Sequence, residues 1–535
     1  MPQFNNDALD DPLLFERDET FRAGVDEYTR PTLLQPGQYA RGINTILSDN
    51  HEQGSRPGFA ALGTFGETGV VQGCGYFDTV TGGGNVQQLL AFINSVFKYW
   101  DGSSWTNVSG YTPTGNVTMA QAFGKMLLTD GSANCRSWDG SAFVDLGNTK
   151  TATGDPPVGC TILTFHASRM VATGYPGTQT VGGVVHTNDT LWFSDLLSFA
   201  AGEWDWVNFS MRVGTGDGQA ITAAASLQNF NLAVFKTNSV WIVNTPPTAT
   251  SAANYTVQLL AEGVGCVGKK AWCYAGNDVL FMAQDGVRSL NRMAAAAGQF
   301  EVTPPLSQPL QPYIDRINWE RAGSIVAQHY RQYAIFWVPL DTSTTNNYAL
   351  VFNTRLGVWV GVWYAGPTKN YLNATCSTLT RFNGKLRLVV GTTDNILDEW
   401  QDYQDPLLDA TQVDNGADME TRIRLRSTQH GEPMNDKDGY YFEARLRDVS
   451  NPVSVDFMVD EQLARTFTLT PPTGAIMGQV NLPFNLAPDA LITARKSLDG
   501  NPPHNESYLE FYSTRGRFTI KNVTRAAFLN TLQNE

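Results

Sequence analysis

Charge is scarce in this chain, and histidine and cysteine are scarcer. Of its 535 residues only 16% are Asp, Glu, Lys or Arg, with six His and six Cys. The cysteines, at 74, 135, 160, 266, 273 and 376, form no CxxC pair and no zinc spacing. They are too sparse to staple a chain this long, so they read as buried free thiols. The histidines (51, 166, 186, 329, 430 and 504) never fall at HxxxH or HExxH spacing, which excludes helix-borne zinc. No stretch approaches the length of apolar residues that a membrane-spanning helix needs. The first residues, Met1, Pro2, Gln3 and Phe4, show neither the charged nor the apolar region of a signal peptide. The expectation is a chain made and kept in a cytosol, with the Asn-x-Ser/Thr sites at Asn107 and Asn116 read as chance. Basic runs are also missing. Lys269 and Lys270 are the one Lys pair, and the net charge is −14. Gripping nucleic acid by its phosphates requires a clustered basic surface. Any DNA near this protein is expected to pass along a mostly acidic wall without sticking.

What remains is apolar residues, 42% of the chain, interleaved with 49 glycines and many Thr, Ser and Asn. Length suggests about three units, and the composition favours strands joined by turns over helices. Residues 1–45 read as an acidic N-terminal arm with a lead-in strand, ordering against a neighbour or staying mobile. Asp7, Asp10, Asp11, Glu16, Asp18, Glu19, Asp26 and Glu27 face only Arg17, Arg22 and Arg30 there. Residues 46–402 show short apolar runs separated by Asp-Gly or Asn-Gly turns, which supply the positive φ of tight hairpins. Trp100-Asp-Gly-Ser-Ser-Trp105 is echoed by Trp138-Asp-Gly-Ser-Ala-Phe143, an offset of 38 residues (138 − 100). A turn repeated between third and fourth strands suits a propeller blade, and six or seven blades are expected. From residue 403 to 535 strict alternation takes over, as in Phe442, Ala444, Leu446 and then Val453, Val455, Phe457. Half-buried antiparallel strands look like this, and the region reads as a β-sandwich. The fold class expected is all-β.

Candidate chemistry fails on named residues. Gly263-Val-Gly-Cys-Val-Gly268-Lys269-Lys270 matches a phosphate-cradling loop up to Lys269. Lys270 then stands where Ser or Thr must hold magnesium, and a strand follows where a helix is needed. His166 and His186 would need Asp189 or Glu203 nearby to act as a site, and no pattern places them together. Arg422, Arg424 and Arg426 share one strand face, read as a solvated face or a subunit contact. The Trp-Asp-Gly-Ser-Ser-Trp turn resembles the Asp-box of sialidases, which also need an arginine cluster and a nucleophilic Tyr. Arg136, Arg169, Arg212 and Arg288 are candidates that no motif selects. No catalytic, cofactor-binding or metal-binding residue is assigned, and the chain is expected not to be an enzyme.

Several segments together resemble the tail nozzle proteins of short-tailed bacteriophages, including those described as packaged-DNA stabilisation proteins. They are Gly42–Asp49 leading to Arg56-Pro-Gly-Phe59, the hairpin Val279–Leu290, the strands Arg331–Leu340, Ala349–Asn353 and Gly357–Trp359, and the alternating C-terminal region. The resemblance implies a virion structural protein, assembled in the host cytoplasm as a hexameric tube under the portal and its adaptor ring. Its partners would be that ring, tail fibre or needle proteins, and double-stranded DNA passing through without specific binding. It implies no cofactor. The alternatives are a sialidase-like propeller glycosidase and another tail or receptor-binding protein.

Overall fold

The computed structural model describes residues 13–529 except 82–83, 297–303, 365–371, 383, 395–396, 402–412, 434–435, 471–491, 499 and 502. Seven antiparallel meanders follow one another among these residues. Blade one is Val71–Thr81, Gly84–Ile93, Val96–Trp100 and Trp105–Asn107; blade two is Thr118–Ala122, Lys125–Thr129, Arg136–Trp138 and Phe143–Asp145. Blade three pairs Ile162–His166, Arg169–Thr173, Thr190–Phe193 and Ser210–Arg212, and blade four Ile221–Ser226, Asn231–Lys236, Ser239–Asn244 and Thr256–Glu262. Blade five has three strands, Trp272–Ala275, Asp278–Ala283 and Gly286–Ser289. Blade six is Val326–Tyr330, Tyr333–Val338, Tyr348–Asn353 and Val358–Tyr364. Blade seven joins Ala374–Phe382, Lys385–Thr392 and Leu397–Trp400 to Phe59–Ala61, a strand borrowed from the start of the chain.

The first strands of successive blades lie against one another, and that of blade seven returns to that of blade one. Between blades four and five the Tyr274 hydroxyl donates to the Ser226 carbonyl. At the closure Thr375 Oγ1 donates to the Val71 carbonyl at 2.6 Å. The ring is a seven-bladed β-propeller. Second strands are covered on both faces, so Arg169–Thr173 and Tyr333–Val338 are buried throughout. This is why the sequence shows continuous apolar runs there and alternation only later. The turn between Ile93 and Val96 has Asn94 and Ser95 at φ 47° and 65°, as a two-residue hairpin requires. All six cysteines are free thiols, five of them buried. A short helix, Leu290–Ala296, occupies the Ala-rich run, with Ser289 Oγ accepting from the Arg292 N–H at its start.

The repeated Trp-Asp-Gly turns sit at equivalent places, between third and fourth strands of blades one and two. Asp101 Oδ1 accepts from the Ser103 and Ser104 N–H groups, and Asp139 Oδ1 from those of Ser141 and Ala142, all at 2.8–2.9 Å. The carboxylates thus build the turns. Asp139→Ala is expected to cost about 1–2 kcal/mol by losing these bonds, read as a lower urea midpoint.

Residues 13–55 differ from the expected arm. Leu13–Asp18 pairs antiparallel with Thr519–Leu529, and the hairpin of Thr45–Leu47 and Gln53–Ser55 adds to the same strand. Gln38–Ile43 joins Thr421–Leu425 on one side and Val358–Tyr364 on the other. The acidic residues are counter-ions for arginines: Asp18 binds the distant Arg426 and Arg525 at 2.7 Å each, and Glu27 binds the nearby Arg41. From Leu13 onward the segment therefore belongs to the C-terminal β-sandwich-like domain. The expectation for residues 1–12, and the boundary at residue 403, lie outside the described residues.

One sheet of that domain is Gln38–Ile43, Thr421–Leu425, Ser507–Ser513, Val453–Val459 and Gln462–Leu469; the other centres on Thr519–Leu529 and Lys437–Arg447. Phe442 and Phe467, 5.3 Å apart, meet between them. The first sheet continues into blade six, making ten strands in all. Where the domains meet, Arg56 is fully buried and binds Asp414, with its guanidinium 5.4 Å from the Trp363 ring. Gly58 follows because a Cβ there would lie 2.0 Å from the Val413 carbonyl oxygen.

Candidate functional site

The candidate residues from the sequence are placed apart, each with a structural partner. His166 bridges the hydroxyls of Ser226 and Thr245 at 2.8 Å each. His186 stacks on Trp192, with ring centroids 5.3 Å apart. Asp189 binds Arg212, and the Glu203 carboxylate accepts from Ser198. Arg136 pairs with Asp145, Arg169 with the Ser194 carbonyl, and Arg288 with Asp285. Arg136, Arg169 and Arg288 stand on separate blades, and Arg212, on the last strand of blade three, is held by Asp189. In the loop 263–270, which links blades four and five, the N–H groups of Cys266 and Val267 donate to the Lys236 and Met282 carbonyls. A phosphate cradle would need them free. On the C-terminal domain Arg422 and Arg424 share Glu510, while Arg426 binds Asp18 and Glu16.

Burial lowers the His166 pKa from 6.5 to about 4. Between those values the unfolded chain binds a proton that the folded chain refuses, so stability falls as pH falls. About 3 kcal/mol of stability is expected to be lost from pH 7 to pH 4 through this residue. Urea denaturation at the two pH values checks it, with His166→Gln expected to flatten the profile.

A cavity of about 690 Å3 opens between blades three and four. Its walls are held by ion pairs. Arg212, ending blade three, makes a two-pronged contact with Asp189 at 2.7 and 2.8 Å. Buried Lys236 donates to both Asp217 oxygens at 2.8 Å and to the Gly214 carbonyl at 3.0 Å. These fix the loop 213–220, and Gln219 Oε1 then accepts from the Asn238 N–H at 2.9 Å. Half-buried Trp241 forms a wall with that loop, its ring against Gly214 and its Nε1–H donating to Ser239 Oγ at 2.9 Å. Val257, Leu259 and Glu262 of the outermost strand of blade four complete that wall. A second cavity of about 310 Å3 shares Arg212 with the first and is lined by Asp189 as well. Sequence reasoning noted Arg212 singly, with no link to this cavity. Trp241 carried no signal, because it stands in an ordinary strand, Ser239–Asn244.

Topology and cleft together define a seven-bladed β-propeller fused to a β-sandwich-like domain, with an open polar groove between two blades. No family model and no curated protein matches the chain in sequence. Among solved structures the chain is similar to BamB from Moraxella catarrhalis, at 14% identity over 63% of this chain and 84% of that one, with a TM-score of 0.36. It is similar also to the WD40 domain of Neurospora crassa Pan2, at 7% identity over 66% and 96% of the two chains, TM-score 0.36. The computationally designed Ika8 protein is 11% identical over 64% of this chain and 100% of its own, TM-score 0.37.

Proposed function

We propose that the chain is a structural subunit of the short tail of a bacteriophage. In this reading it is a nozzle protein, assembled as a hexameric tube beneath the portal and its adaptor ring, retaining packaged DNA and conducting it at ejection. The observation that carries the proposal is the ten-stranded sheet running from blade six into the C-terminal domain. Propeller and sandwich are thereby one stiff body, where separately linked domains would move relative to each other. A tube wall that holds back DNA needs such a body. The net charge of −14 supports passage without adhesion. The phosphate-loop and arginine candidates, committed to internal partners, leave the structural reading ahead of the glycosidase one.

Electron microscopy and analytical ultracentrifugation of the purified chain, alone and with a portal–adaptor complex, test the proposal. Rings with a central pore wide enough for duplex DNA are expected. A chain that stays monomeric in both settings overturns it.

A further inference from the structure

We infer that the groove between blades three and four binds a neutral oligosaccharide. Four features of the groove argue for this ligand class. The Trp241 ring, with Val257 and Leu259 exposed beside it, offers an apolar surface of the kind that the C–H face of a sugar ring covers. Around it stand groups that donate and accept: the Asn238 and Gln219 side-chain amides and the Glu262 carboxylate. The Gln219 side chain uses its amide oxygen to accept from the Asn238 N–H, which leaves its NH2 for a ligand hydroxyl. Such groups match hydroxyls, which are donors and acceptors at once.

Charge sets the subclass. Arg212 and Lys236 are already neutralised by Asp189 and Asp217, and Glu262 adds a negative charge. A phosphate, sulfate or uronate would meet no free cation there, so acidic sugars are disfavoured. Shape sets the length. The cavities of about 690 and 310 Å3 share Arg212, and a Cβ at Gly216 or Gly218, which line the smaller one, would touch nothing within 4 Å. The groove is thus open along its length and suits a chain of several sugar rings. Its walls are pre-set by the Arg212–Asp189 and Lys236–Asp217 pairs, which lowers the ordering cost of binding.

The purified full chain, applied to an array of neutral and acidic bacterial polysaccharide fragments, tests this, with calorimetry on the fragments that bind. Binding to neutral fragments is expected, with Kd on the order of 0.1–1 mM for a shallow site. Trp241→Ala and Asn238→Ala are each expected to weaken it about tenfold or more, while exposed Tyr28→Ala leaves it unchanged. Asn238→Ala guards against a folding defect at Trp241, and thermal melting is followed for all three. Three results would overturn the inference: no neutral fragment bound at several millimolar, a preference for acidic fragments, or full affinity in Asn238→Ala and a folded Trp241→Ala. The outcome is independent of ring assembly, so a monomer that binds glycans would sink the tail reading and keep this one.

Discussion

Arg56→Ala is expected to lower stability by about 3–5 kcal/mol, the cost of leaving a buried charge without its partner. The Arg56 guanidinium, fully buried, meets Asp414 along both carboxylate oxygens, Asn44 Oδ1 at 3.1 Å and the Pro57 carbonyl at 2.9 Å. Asp414 also accepts from the Phe59 N–H at 3.1 Å. Phe59 belongs to the strand that closes blade seven, and its ring meets Trp400 at 5.4 Å, which meets Trp363 of blade six at 4.9 Å. One side chain therefore ties ring closure, blade six and the start of the C-terminal domain. Arg56→Lys keeps the charge but loses the forked contact, so it is expected to recover only part of the loss. Urea denaturation followed by circular dichroism measures both. A midpoint for Arg56→Ala within error of the parent would show that the joint does not hold the domains.

Asp18→Ala is expected to cost a similar amount, about 3–5 kcal/mol, confined to the C-terminal domain. Asp18 is 2% exposed and neutralises two arginines, Arg426 just past the strand Thr421–Leu425 of one sheet and Arg525 on the other. Burial pulls the Arg525 pKa down, and the Asp18 charge is the chief force opposing it. Removing Asp18 leaves Arg525 without its ion-pair partner and Arg426 with Glu16 alone, and Arg525 also donates to the Arg426 carbonyl at 2.9 Å. Hydrogen exchange should rise across 519–529 and 13–18 while blade six stays protected. The neighbouring Arg17–Glu19 pair, at 60% and 67% side-chain exposure, is the contrast. Glu19→Ala is expected to change stability by less than about 0.5 kcal/mol, because water screens that pair.

Three acidic residues near the start of the chain show where sequence reasoning stopped. Read along the chain, Glu16, Asp18 and Glu27 look like a solvated acidic arm, since acidic residues outnumber the arginines around them. Their partners, Arg426, Arg525 and Arg41, lie mostly hundreds of residues away. The same holds for the Arg422–Arg424–Arg426 face, which the sequence shows as three free cations and the fold supplies with Glu510, Asp18 and Glu16. The groove was hidden for another reason. Trp241 and Arg212 belong to different blades, and only the packing of one blade on the next brings them to a common cavity.

The sequence by itself determined the local elements: strands from apolar runs, hairpins from Asn-Ser and Asp-Gly turns, and the equivalence of the Trp100 and Trp138 turns. Each depends on residues a few positions apart, where backbone preference and side-chain period act directly. The tertiary structure alone decided that the blades number seven, that Phe59–Ala61 closes the ring against Leu397–Trp400, and that residues 13–55 build the far domain. Those are pairings across more than 300 residues, specified by which buried charge or strand edge finds its complement and not by any local pattern.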